Sequence, residues 1–250
     1  MGKDRFSKNT TLSAAGLKLV TFAIFLALSA AVSGQTPRKL SVSKLSEPPE
    51  QLKKLLKAGR VTFEVGPRSG SADPRIIGET RYEVSYRYKS QAKWSLSQDA
   101  KGARVLVINV VFNRIQWNPK HVIWLRDEPE LDVFWSNSVL LHEFDHLRIS
   151  TDPRIARRFA ELLTQRRVIR HTLQAGEFAG RELTDRLVEK EAHAVFEEVT
   201  DLIAIRYREL DRETLHGRQP VPRSSELYDL LRSDAVPESQ GGSRDASGNP

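Results

Sequence analysis

Residues 105–112 read VLVINVVF, a nearly continuous β-branched run that suits a central strand. Upstream, Val61, Phe63 and Val65 alternate with polar partners. Tyr82, Val84, Tyr86 and Tyr88 alternate with Glu83, Ser85 and Arg87, the period of two expected of a half-buried strand. Trp94 and Leu96 continue the extended pattern, and residues 122–125 read as a short further strand. From about residue 130 the period becomes helical, with helices expected near 136–150, 153–169 and 179–213. Asp152-Pro153 marks a helix restart, Asp152 as N-cap and Pro153 at the first helical position. Strands followed by helices predict an α+β domain. An antiparallel sheet in the N-terminal half would pack against the helix near 136–150 and the long C-terminal helices.

The ends of the chain have other compositions. Residues 1–34 hold Lys3, Arg5, Lys8 and Lys18 against Asp4, then the uncharged run 19–32 and the small residues Ser33 and Gly34. A basic start, a short apolar run and small residues describe an export signal, with cleavage expected after Gly34. The run is shorter than the ~20 residues of a spanning helix, which argues against an uncleaved anchor. Residues 35–56 are expected as a linker on the Ser-, Pro- and Lys-rich composition of 35–52. Residues 57–234 form the folded domain, with a loop at 66–79. Residues 235–250, AVPESQGGSRDASGNP, have almost nothing to bury and read as a disordered tail.

The chain contains no cysteine, which excludes disulfides, a thiol nucleophile, thiolate zinc sites and iron–sulfur clusters. The net charge is +7, of which the first 34 residues contribute +3 and the rest +4. The basic residues are dispersed among acids with no aromatic-interleaved stripe, which argues against nucleic acid. A basic face at Arg154, Arg157, Arg158, Arg166 and Arg167 would offer contact to a membrane surface or cell-wall polymer, although a solvated helix face is the preferred explanation. The run Arg166 to Arg170 reads as a basic helix end.

Residues 142–146 read His-Glu-Phe-Asp-His. On a helix, residues four apart share a face, so His142 and His146 can both present imidazole nitrogens to one metal ion. Glu143 lies one step around, placed to take a proton from a metal-activated water, which is the H-E-x-x-H pattern of zinc hydrolases. Zinc needs a third protein ligand and an open position. Asp152 has the spacing of one known ligand pattern, but Ile149 occupies the place where that pattern needs Gly. The long helix offers Glu191, His193, Glu197 and Glu198. Its apolar stripe, taken as Leu187, Val195, Val199, Leu202 and Ile205, includes Glu191 and Glu198 and leaves His193 and Glu197 outside. His216, before Gly217, sits at a helix stop. His121 and His171 have no supporting context.

The stretch from Leu210 to Arg218, LDRETLHGR, resembles the C-terminal signature of a bacterial family of predicted secreted zinc-dependent proteases: Asp, Thr three on, then His-Gly. With the H-E-x-x-H motif, the aromatic β region before it and the export signal, the resemblance covers about residues 80–218. Asp145 stands where the family commonly has Gly, Leu210 where it has Tyr, and Pro220 follows Gln219. The resemblance implies Zn²⁺ held by His142, His146 and His216, Glu143 as general base, and Asp211 orienting a ligand histidine from behind. Glu191 and Glu198 are the fallback ligands. The implied function is an exported metallopeptidase acting on a peptide or protein substrate. The alternative is a non-catalytic envelope or binding domain that keeps a structural zinc site. The expected location is the periplasm, the envelope or the medium. N-terminal sequencing of chain recovered from the cell envelope should begin near Gln35, whereas an intact Met1 in the membrane fraction would show an anchor instead.

Overall fold

A computed structural model describes residues 20–22, 36–67 and 76–232. Apart from three residues, the expected export signal lies outside the described residues, as do the tail 235–250 and most of the 66–79 loop. The elements in chain order are β1 (Val20–Phe22), β2 (Arg38–Leu40), α1 (Glu50–Gly59), β3 (Val61–Val65), β4 (Gly78–Gln98) and β5 (Arg104–Leu125). There follow α2 (Ser138–Thr151), α3 (Pro153–Gln165), β6 (Val168–Thr172), α4 (Arg181–Thr214) and α5 (Glu226–Arg232). The architecture is α+β, as the sequence pattern predicts. No helix among the described residues is long and apolar enough to cross a membrane.

The sheet is mixed rather than purely antiparallel. Its order is β1-β4-β5-β3-β2, with β6 also paired to β5. The β4–β5 hairpin leaves one long edge of β5 to be covered. β6 pairs antiparallel with residues 105–109 of that edge, and β3 runs parallel to residues 121–125. What the sequence pattern separates into short strands is therefore two long ones. The polar stretch Asn113–Lys120 breaks the apolar alternation, but its backbone stays paired with β4. Between the pairs Arg87↔Gln116 and Lys89↔Asn113, Arg114 and Ile115 oppose the single Tyr88. Arg114 there takes φ 51°, a bulge that bends the hairpin.

Three further expectations are corrected. The stretch expected as linker carries β2 and α1, because Leu40 and Leu52 have a core to enter beside Phe63, Phe134, Trp135 and Phe144. The basic run expected to end a helix is an edge strand: α3 stops at Gln165, and Ile169 faces the core while Arg170 faces solvent. The buried face of α4 is also rotated from the expected stripe. It runs through Val188, Ala192, Val195, Val199, Ile203 and Leu210, leaving Leu202 and Ile205 about half exposed.

Helix α2 is buried from two sides. Leu140, Phe144 and Leu147 enter the aromatic cluster under β3, while Ile149 packs against Ile203 and Leu210 of α4 and Leu227 of α5. Asn137 caps α2 by accepting from Leu140 N at 3.1 Å, and Asp152 caps α3 by accepting from Arg154 N at 2.8 Å, with Pro153 behind it. Asp152→Ala should lower stability by about 1 kcal/mol in urea unfolding, and Asp152→Asn, which keeps the acceptor, by much less.

Candidate metal centre

One turn of α2 separates His142 from His146, and both rings are buried with centroids 4.8 Å apart. The last turns of α4 cross this face. Tyr207, Leu210, Asp211 and Thr214 recur at spacings of three and four, so they share one side of the helix. Leu210 and Thr214 are buried there, the Tyr207 ring lies 4.5 Å from that of His146, and Asp211 reaches both motif histidines. Its Oδ1 accepts from His146 Nε2 at 3.0 Å and from His142 Nε2 at 3.2 Å. The ligand atoms of these three residues lie within 4.8 Å of one another, a group able to hold a metal ion.

The placement of Asp211 and His216 differs from the expected one. Asp211 faces the imidazoles directly instead of standing behind one. His216 is 80% exposed and does not join the metal-capable group, its Nδ1 lying 3.6 Å from the same Asp211 Oδ1. The cause is the chain path after α4. Leu215, His216 and Gly217 all take positive φ (49°, 56° and 78°), and His216 N donates back to Asp211 O at 2.8 Å. The left-handed turn carries the His216 ring toward solvent while the Asp211 side chain stays on the inner helix face. Of the fallback ligands, Glu198 is exposed and lies 3.9 Å from Arg166, and neither Glu191 nor Glu198 joins the metal-capable group.

Two glycines permit close approaches to the motif helix. A Cβ on Gly217 would sit 2.8 Å from His142 Cβ and Cγ, and its φ disfavours any side chain. A Cβ on Gly78, at the start of β4, would sit 2.9 Å from Glu143 Oε1 and 2.5 Å from Val139 Cγ1. Next to it, the Thr80 hydroxyl donates to the Glu143 carbonyl at 3.1 Å.

Burial sets the electrostatics. Glu143 is only 3% exposed and its Oε2 has no hydrogen-bond partner. Desolvation raises its pKa, with the two imidazoles opposing. Burial works to lower His142, but the hydrogen bond to Asp211 and the nearby Glu143 and Asp145 outweigh it, so its pKa is raised. Burial likewise works against the Asp211 carboxylate, yet hydrogen bonds from His142 and His146 hold it well below the usual range. Asp145 turns aside to Arg148.

Behind the site lies a buried polar chain that the sequence pattern does not announce. His121, on β5, is 1% exposed. Its Nδ1 lies 2.7 Å from the Gly59 carbonyl, which can only accept, so Nδ1 carries the proton. Nε2, 2.7 Å from Ser150 Oγ, must then accept from that hydroxyl, and Ser150 in turn accepts from Tyr207 at 2.9 Å. Ser150 is one turn beyond His146 and Tyr207 one turn before Asp211, so helical spacing identifies these two once the motif is recognised. His121 comes from a distant strand and gives no such signal. His171, the other unsupported histidine, pairs locally with Glu177 at 2.7 Å.

Burial lowers the His121 pKa from 6.5 to about 4. On acidification the unfolded chain therefore takes up this proton first. The stability due to neutral His121 is complete above pH 6.5, falls between pH 6.5 and 4, and is lost below. From pH 7 to pH 5 it should remove about 2 kcal/mol in urea unfolding. His121→Gln should be less stable at pH 7 and lack that share of the acid sensitivity.

No protein-family model, curated protein or solved structure matches the chain, so the chemistry of the site rests on its own donors and their surroundings.

Proposed function

We propose that the protein is an exported zinc-dependent peptide hydrolase in which His142, His146 and Asp211 hold Zn²⁺ and Glu143 is the general base. The observation that carries this reading is the buried Glu143 carboxylate, with one oxygen unpartnered, beside a convergent pair of imidazoles and a carboxylate. Two nitrogen donors and one oxygen donor suit zinc, which takes such sets in catalytic sites and leaves one position open, whereas magnesium and calcium favour oxygen. Asp211 is a third exposed, so the group has an outlet to solvent. When bound, zinc would supply a Lewis acid that polarises a carbonyl oxygen and acidifies water.

The chain's residues account for the remainder. Glu143 Oε2 accepts a proton from water and delivers it to the departing amine nitrogen, and desolvation raises the affinity of this carboxylate for the proton. Gly78 keeps its approach side clear. Tyr207 packs against His146 and fixes its ring plane. The resemblance of residues 210–218 to secreted zinc-dependent proteases supports a peptide or protein as substrate, and the export signal expected from the composition of residues 1–34 supports action outside the cytoplasm. The rival reading, a structural metal site in a non-catalytic domain, draws on the hydrogen bonding of Asp211 to both histidines. It gives Glu143 no role, although a buried carboxylate oxygen without a partner is costly to keep.

The purified mature chain should carry one zinc. Glu143→Gln should keep the metal and lose about 10²–10⁴-fold in hydrolysis of a peptide library. Asp211→Ala should lose the metal, and His216→Ala should retain it. Metal loss in His216→Ala alone would restore the ligand set implied by the resemblance. Zinc-loaded wild type inert on the library would favour the structural reading, and Glu143→Gln as active as wild type would overturn the role of that residue.

A further inference from the structure

The outward face of α4 carries two aliphatic residues that its sequence pattern assigns to the core. Leu202 and Ile205 are 45% and 49% exposed, and they line a groove of 630 Å³. Ile149, at the end of α2, Ile155 of α3 and Leu230 of α5 line it too. The apolar lining is wholly aliphatic, and the polar groups are mostly arginines. Arg154 is engaged by Asp152, and Arg206 by Glu209 and Glu226. Arg208 and Arg212, one helical turn apart, have no acidic partner among the described residues. Half-exposed aliphatic side chains beside two uncompensated cations form a surface of two matched parts: one excludes water, the other attracts an anion.

We propose that this groove binds a soluble single-chain anionic amphiphile, its carboxylate at Arg208 and Arg212 and its alkyl chain along Leu202, Ile205 and Ile155. A peptide fits less well. Its amides would need partners on a lining that offers aliphatic side chains, whereas a methylene chain needs none. A second copy of the chain fits less well too, because a two-fold contact on this face would bring its own arginines together. The lining comes from α2, α3, α4 and α5, a cleft between helices rather than a flat surface of the kind a membrane would contact. The proposal is independent of the hydrolase reading, since none of these residues belongs to the metal-capable group.

The test is calorimetric titration of the full chain with octanoate, decanoate and dodecanoate below their micelle concentrations. Binding should tighten about fourfold for each added CH₂. Arg208→Gln combined with Arg212→Gln should weaken decanoate by roughly tenfold and leave decan-1-ol unchanged. Leu202→Asp lies on the exposed side of α4, so it should keep the wild-type thermal unfolding while losing decanoate. Affinity independent of chain length, or a double arginine variant that binds decanoate like wild type, would overturn the proposal. So would sedimentation showing a dimer that Leu202→Asp dissociates, with no decanoate bound by wild type.

Discussion

The Asp211 carboxylate between two imidazoles of α2 is the interaction on which the functional end of the molecule depends. A single oxygen accepts from His142 and His146, so α4 meets α2 in one rotational setting. An aliphatic contact would tolerate a small axial turn, because packing energy is spread over many weak contacts. Charge-assisted hydrogen bonds are directional and tolerate little. The same setting places Tyr207 against His146 and Leu210 against Ile149.

The support behind this contact is a second, largely buried polar system. Gly59, His121, Ser150 and Tyr207 join α1, β5, α2 and α4 through hydrogen bonds whose donors and acceptors form one consistent chain. Because His121 stays neutral, its ring proton remains on Nδ1, facing the Gly59 carbonyl. A Cβ on Gly59 would clash with Leu147 Cδ1, so the helix that supplies the carbonyl also presses against the motif helix. The sheet thus acts as more than a floor. At their ends nearest α2, β4 brings Gly78 and Thr80 to Glu143, and β5 brings His121 to Ser150.

Much of this was legible in one dimension. The alternation at Tyr82–Tyr88 and the run at 105–112 are local consequences of the strand's period, and the helices after residue 130 follow from spacing and caps. Both H-E-x-x-H histidines and the glutamate between them converge because α-helical geometry alone places them together. The rotation of α4 was not legible. Leu202 and Ile205 satisfy the apolar stripe as well as Ala192 or Ile203 do, and which set faces inward depends on the partner's shape. The parallel β3–β5 pairing was hidden for a related reason. A five-residue strand of alternating apolar and polar residues carries no mark of the edge it will join.

Residue types and spacing therefore determined the α+β class, the motif helix and its two histidines, all properties of segments a few turns long. The third donor, the exposure of His216 and the His121–Ser150–Tyr207 chain were decided only by tertiary structure. Each depends on residues brought together from elements far apart in sequence. The physical reason is plain at the end of α4. Asp211 and His216 stand five residues apart, both are capable metal ligands, and a left-handed turn at Leu215–Gly217 sends one outward while packing holds the other within reach of α2.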